Sequence, residues 1–212
     1  MDKQDLIKNA ECFVDKSEDN YITNQIAISD YAIGTKIFES PIFACGAADD
    51  EYFTLLKQSS LIGKHFMLPK EWLPQAKTVI SFFLPFTAAV KKENRRNLLW
   101  PTADWLFGRM EGQTLLNKLC VHLKFELINA GYNSLVPALD KGPQSKNQYP
   151  YHELSFTSNW PERHVAFICG LGTFALSKGL ISQKGIAGRF GSIITELHLP
   201  PDKRDYKNRC TR

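Results

Sequence analysis

Trp160-Pro161-Glu162-Arg163-His164-Val165-Ala166-Phe167-Ile168-Cys169-Gly170-Leu171-Gly172-Thr173 is the stretch on which the reading of this chain turns. Six of the 13 glycines (Gly170, Gly172, Gly179, Gly185, Gly188 and Gly191) fall in it or shortly after it, among apolar and basic residues. Glycine is costly to order, so this density points to tight turns or to backbone lying close to something large. Two local readings compete. In one, Pro161 opens a helix, Glu162 complements the positive end of its dipole, and Gly170 ends it. In the other, Val165 to Cys169 form a strand feeding Gly170-x-Gly172-x-x-Ala175, a dinucleotide-binding fingerprint. Only 37 residues follow Ala175, too few for the further strand-helix-strand units that such a fold needs. They read instead as a hairpin: Leu180-Ile181-Ser182, a turn through Gln183-Lys184-Gly185, then Phe190 to Leu199. The helix is therefore preferred, with an NAD- or flavin-binding oxidoreductase as the alternative.

Upstream, Val79-Ile80-Ser81-Phe82-Phe83-Leu84 before Pro85 is a nearly continuous apolar run, the pattern of a central strand covered on both faces. Leu6, Ile7, Ala10, Phe13 and Val14 recur at helical spacing over residues 2–14. Residues 17–36 fit neither helix nor extended chain decisively, and a short strand follows at 36–38. Over residues 43–58, Asp49-Asp50 precede Tyr52, Phe53, Leu55 and Leu56. The paired acids read as a helix cap ahead of a catalytic or metal pair. A short turn or helix lies between Pro69 and Pro74. Lys91 to Arg96 form a basic patch, read as a solvated loop. Pro101 opens a long helix to about Ala130, capped by Gly131, and Leu135-Val136 is a brief strand. Residues 140–159, with Tyr149, Tyr151, His152 and Glu153, read as a long loop of the kind that binds or covers a ligand.

A chain of 212 residues suits one domain over residues 1–212, and 43% hydrophobic with 23% charged residues is an ordinary globular composition. No basic-then-apolar leader or apolar run of membrane-spanning length is present, which predicts a cytoplasmic protein without membrane contact. The formal charge of +4 permits anionic ligands or RNA without demanding them. The five cysteines are widely spaced, contain no Cys-x-x-Cys pair and read as reduced thiols.

The last fifty residues resemble the epoxyqueuosine reductase type of corrinoid-dependent, iron–sulfur-containing reductases, related to reductive dehalogenases. The resemblance is carried by Glu162-Arg163, six residues, then Gly170-Leu171-Gly172, and by Arg189-Phe190-Gly191-Ser192 with Glu196-Leu197-His198-Leu199-Pro200. It implies an α+β (α/β sandwich) fold. Its cobalamin-binding core would be similar to the nitroreductase-like fold of the vitamin-processing protein CblC, with a mixed, mainly antiparallel sheet flanked by helices. It also implies a cobalamin (corrinoid) held by Arg163, His164, Gly170, Leu171, Gly172, Thr173, Arg189 and Gly191, the glycines admitting a broad macrocycle. No Asp-x-His-x-x-Gly motif for a lower cobalt ligand occurs, and no residue is assigned to a metal. The chain departs from the family at Phe156, where relatives carry a proton-donating aspartate, and at Thr173 and Ala175-Leu176, where they carry Trp and Gly-Lys. Tyr149, Tyr151, His152 or Glu153 could donate the proton instead. The cysteines for two [4Fe–4S] clusters would lie beyond Arg212. The core would then work with a missing ferredoxin-like domain or an electron-donor protein, and tRNA is an implied partner. A non-catalytic corrinoid-binding module is the further alternative.

Overall fold

The computed structural model describes residues 1–96, 98–140 and 158–204. Its axis is the apolar run at Val79: β2 (Thr78–Pro85) is buried at every position. One neighbour is β1 (Ile42–Ala47). The other is β6 (Gly188–Thr195), with β3 (Ser134–Leu135) beyond it, so the order is β1-β2-β6-β3. All of these pairings are antiparallel. Ile80, Phe82 and Leu84 enter one core while Val79 and Phe83 enter the other, which is why the run shows no polar alternation.

The first core is closed by α1 (Lys3–Lys16), α4 (Ala88–Arg96), α5 (Ala103–Met110) and α6 (Gly112–Asn129). The second is closed by α2 (Glu51–Leu55), α3 (Pro69–Trp72) and α7 (Glu162–Cys169). The architecture is thus mixed α/β, a mainly antiparallel sheet flanked by helices, as expected. Local chemistry sets the helix starts. Asp2 and Asp5 cap α1 reciprocally, each carboxylate accepting from the other's backbone N–H at 2.9 Å. The Asp50 carboxylate accepts from Tyr52 N at 3.0 Å, so the capping reading of the paired acids holds.

Four expectations are corrected. The strand β1 lies within the stretch read as leading into a helix; its small residues hide it, and Gly46 is needed because a Cβ there would meet Cys169 Sγ at 3.1 Å. Lys91 to Arg96 belong to the helix α4 instead of a loop. The single helix from Pro101 is two, α5 and α6, meeting at Glu111. There Gly108 and Gly112 let the corner settle on Phe86 and Phe38, whose rings a Cβ would meet at 2.6 and 2.7 Å. Finally, the 180–199 hairpin does not form. The eight-residue β6 pairs residue for residue with β2, and the short β5 (Leu180–Ser182) pairs with β4 (Gly172–Phe174) in a separate ribbon.

After β6 the chain turns back as a strap. Leu197 and Leu199 join the first core. Asp202 N donates to Cys45 O at 2.8 Å, while Asp202 Oδ2 accepts from Cys45 N at 2.7 Å and from Lys3 Nζ at 2.5 Å. These bonds occupy the Cys45 backbone groups at the centre of the outer edge of β1, where free groups would template pairing with another chain. Arg204 then reaches Asp50 at 2.7 Å, its guanidinium 4.3 Å from the Tyr52 ring centre.

Cys45, Cys120 and Cys169 are buried and Cys12 is exposed. Burial raises all three inner thiols, Cys45 to about 12. Among these four, iodoacetamide at pH 8 is expected to label Cys12 alone in the native chain, read by peptide mass mapping. Labelling of Cys45 or Cys169 at a comparable rate would contradict this packing. Among the described residues no helix is long and apolar enough to cross a membrane.

Candidate functional site

The helices α4 and α5 and the turn joining β5 to β6 enclose an open cavity of about 680 Å³. Its floor is apolar, made by Trp105, Ile181, Ile186 and Ala187. Trp105 is set edge-on against Phe86 at 4.9 Å, and Phe86 N donates to Ala187 O at 3.0 Å, so floor and wall are fastened together. The rim carries Lys91, Lys92, Asn94 and Arg95 from α4 and Lys184 from the facing turn. Glu39 meets both Lys91 (3.7 Å) and Lys184 (3.3 Å), whereas Lys92 and Arg95 have no ion pair among the described residues. A broad apolar floor with cations and an amide at its margin suits a wide amphipathic ligand bearing anionic or amide groups.

None of the eight residues assigned to the cofactor in the sequence lines this cavity, whereas Lys91, Lys92 and Arg95 of the basic patch do. Arg189 Nε donates to Gly108 O at 3.3 Å and Nη1 to Gln113 Oε1 at 2.8 Å, pinning the start of β6 to the α5–α6 corner. Burial, then Arg109 nearby, lowers its pKa. Gly191 faces the same layer, where a Cβ would meet Phe82 at 2.9 Å and Leu116 at 3.1 Å. The other six lie with α7 on the opposite side of the sheet. Gly170, at φ +94°, is the left-handed cap of α7 and passes beside the Lys203 carbonyl. Leu171 is buried in the second core. Gly172 opens β4, where a Cβ would stand 2.3 Å from Ile181 O, and Thr173 pairs with Ile181, whose side chain lines the cavity. Arg163 is exposed and donates from Nη1 to Lys178 O at 3.1 Å, bracing the loop of that ribbon. The His164 ring lies 5.0 Å from that of Phe174, with Nδ1 buried and without a partner; burial, then Arg163, lowers its pKa.

The dinucleotide fingerprint is overturned. That motif needs strand, glycine turn and helix in this order, and here Val165 to Cys169 are helical and Gly172 starts a strand. Tyr149, Tyr151, His152, Glu153, Phe156 and Cys210 lie outside the described residues. Among those described, no group of three His, Cys, Asp or Glu side chains is placed to hold a metal ion.

Sequence reasoning gave Glu162 only a role at the helix dipole, yet it is the most perturbed acid of the second core. Trp160 Nε1 donates to Ser192 Oγ at 2.8 Å, and Ser192 Oγ donates to Glu162 Oε2 at 2.8 Å. The other oxygen, Oε1, is shut off from solvent with no partner. Burial, partly offset by the Ser192 bond, pushes the carboxyl up to about 8. Trp160 in turn stacks on Phe53 and Phe66, with centroids at 6.2 and 5.9 Å. The missed signal was periodicity: Glu162, Val165, Ala166 and Cys169 fall at i, i+3, i+4 and i+7, which places the acid on the inner face.

No family model matches this chain, and no curated protein matches it. Solved structures with a similar chain course include epoxyqueuosine reductase from Bacillus subtilis, at 16% identity and a TM-score of 0.48 over 80% of this chain and 45% of that one. The enzyme from Streptococcus thermophilus aligns at 20% identity and a TM-score of 0.45, over 78% and 45%. An epoxyqueuosine reductase in complex with a modified tRNA-Tyr stem loop aligns at 16% identity and a TM-score of 0.44, over 80% and 45%. The chain thus spans less than half the length of each.

Proposed function

We propose that this chain is the cofactor-binding core of a reductase similar to the epoxyqueuosine reductases, and that its cofactor is a corrinoid. The observation that carries the reading is the cavity between α4, α5 and the β5–β6 turn, with its wide apolar floor and cationic margin. These residues fit the group: a corrin presents a broad flat apolar ring, peripheral amides and an anionic phosphate. Trp105, Ile181 and Ile186 would hold the ring, and Asn94, Lys92 and Arg95 would meet its polar periphery. When bound, a corrinoid supplies a cobalt centre for reductive chemistry. The chain's own residues would orient it and exclude water, with Arg163 and Gly172 fixing the ribbon and Arg189 the corner beside the site. The tRNA implied by the resemblance would meet the same cationic rim, and the substrate's proton would come from a group other than Phe156, which has none to give.

Titration with hydroxocobalamin tests the reading. At roughly 100 μM, a shift in the cobalamin spectrum and a rise in Tm are expected. Trp105→Ala and Lys92→Glu combined with Arg95→Glu should each weaken binding about tenfold or more. No spectral change together with no thermal stabilisation would dismiss the corrinoid.

A further inference from the structure

The connection between α4 and α5 carries Leu98, Leu99 and Trp100, exposed by 94%, 85% and 73%. Its stem is fastened. Thr102 N donates to Asn94 Oδ1 at 3.2 Å, Thr102 Oγ1 donates to Asp104 Oδ1 at 2.5 Å, and Ala103 N donates to Tyr31 Oη at 3.1 Å. A single exposed leucine is ordinary surface; three consecutive large apolar residues held out by a pinned stem are the mark of a contact surface. The helix leading into them bears Lys91, Lys92, Arg95 and Arg96. Its one acid, Glu93, is engaged by Arg96 at 2.7 Å. An apolar centre containing Trp, with Arg at its edge, has the composition of a protein interface hot spot. Two of the three apolar side chains are aliphatic, which calls for an apolar cleft instead of stacked bases, and the cationic collar calls for an acidic surface. The same helix lines the cavity, so a partner seated on this tip adjoins a ligand held there.

We infer that Leu98, Leu99 and Trp100, with the collar of α4, form the docking surface for a small acidic electron-carrier protein. The electron-carrying role of the partner rests on the reductase reading above; its acidic and apolar character rests on the surface itself. Electron-transfer encounters use small interfaces, in keeping with a three-residue tip.

Flavodoxin, small and acidic, is the probe. Interferometry at low salt should show binding that weakens at least tenfold between about 20 and 200 mM NaCl, when the Debye length shortens severalfold. The double variant Leu98→Ser with Trp100→Ser should lose binding tenfold or more while keeping the wild-type melting curve, and Arg96→Glu, outside the cavity lining, should do the same. Absence of flavodoxin binding, or binding unchanged in both variants, overturns the proposal. So does a result in which the tip variant loses an RNA stem loop and keeps flavodoxin. Hydroxocobalamin titration of the serine variant separates the two readings. A tip that binds flavodoxin on a chain that ignores cobalamin keeps the docking surface and removes the cofactor, and the reverse pattern removes only the docking surface.

Discussion

Glu162→Gln is expected to cancel most of the pH dependence of stability between about pH 5 and 8 and to leave the variant more stable than the native chain at pH 9. In the folded chain the carboxyl keeps its proton up to about 8; in the unfolded chain it loses it near the ordinary value of 4.5. Between these values the native state binds more protons, so stability is highest below the lower value, falls as pH rises, and levels off above the upper one. At about 1.4 kcal/mol per pH unit, the whole fall is on the order of 5 kcal/mol. Glutamine abolishes the titration but carries two amide protons where the protonated acid carries one, leaving a further buried donor without a partner at a cost of about 1–3 kcal/mol. The two stability curves should therefore cross, with the variant weaker at pH 5 and stronger at pH 9. Urea unfolding at pH 5, 7 and 9 reads this directly. An equal slope for both proteins would mean that Glu162 does not hold its proton.

Gly172→Ala should cost about 3 kcal/mol, and more if the ribbon cannot part. The added Cβ would stand 2.3 Å from a backbone oxygen, Ile181 O, which has no rotamer to yield with. Overpacking of a core costs about 1–3 kcal/mol even where side chains can shift. Gly34→Ala is the matched control: it has φ +78° and nothing within 4 Å, so only the left-handed backbone penalty of about 1 kcal/mol applies. The consequence reaches the cavity, because separating β4 from β5 moves Ile181 off its floor. Thermal melts of both variants, with cobalamin binding followed in parallel, should show a larger Tm loss for Gly172→Ala and a binding loss confined to it. Equal losses would remove close approach as the reason for this glycine.

What the sequence disclosed depended on whether a pattern was local. The run at Val79, the caps at Asp50, Pro161 and Gly170, and the helix they bound needed only neighbours to be read. Strand pairing was not local. Nothing near Leu180 says that it prefers Gly172–Phe174 to the strand after it, because that choice belongs to β2, whose eight buried positions claim β6. The same limit governed the site. The motif residues were legible as special, since a glycine or an arginine in an apolar stretch is conspicuous. Their allocation to opposite faces of the sheet follows from the alternation of β6, in which Arg189 and Gly191 look toward α5 and α6 while Ser192 looks toward Glu162. The cavity itself gathers residues from 88 to 187, and no window of sequence holds it.

The strap after β6 makes the fold nearly a ring. Lys3, in the first turn of the first helix, and Asp202, close to the last described residue, are in direct contact at 2.5 Å. Two segments held this close can be joined by a short linker at little cost in closure entropy. The order in which the segments are threaded is therefore separable from the architecture. A circularly permuted chain, closed across Lys3 and Asp202 and opened at the exposed turn near Gly34, would retain both cores, the bonded edge of β1 and the cavity while beginning between the first helix and β1.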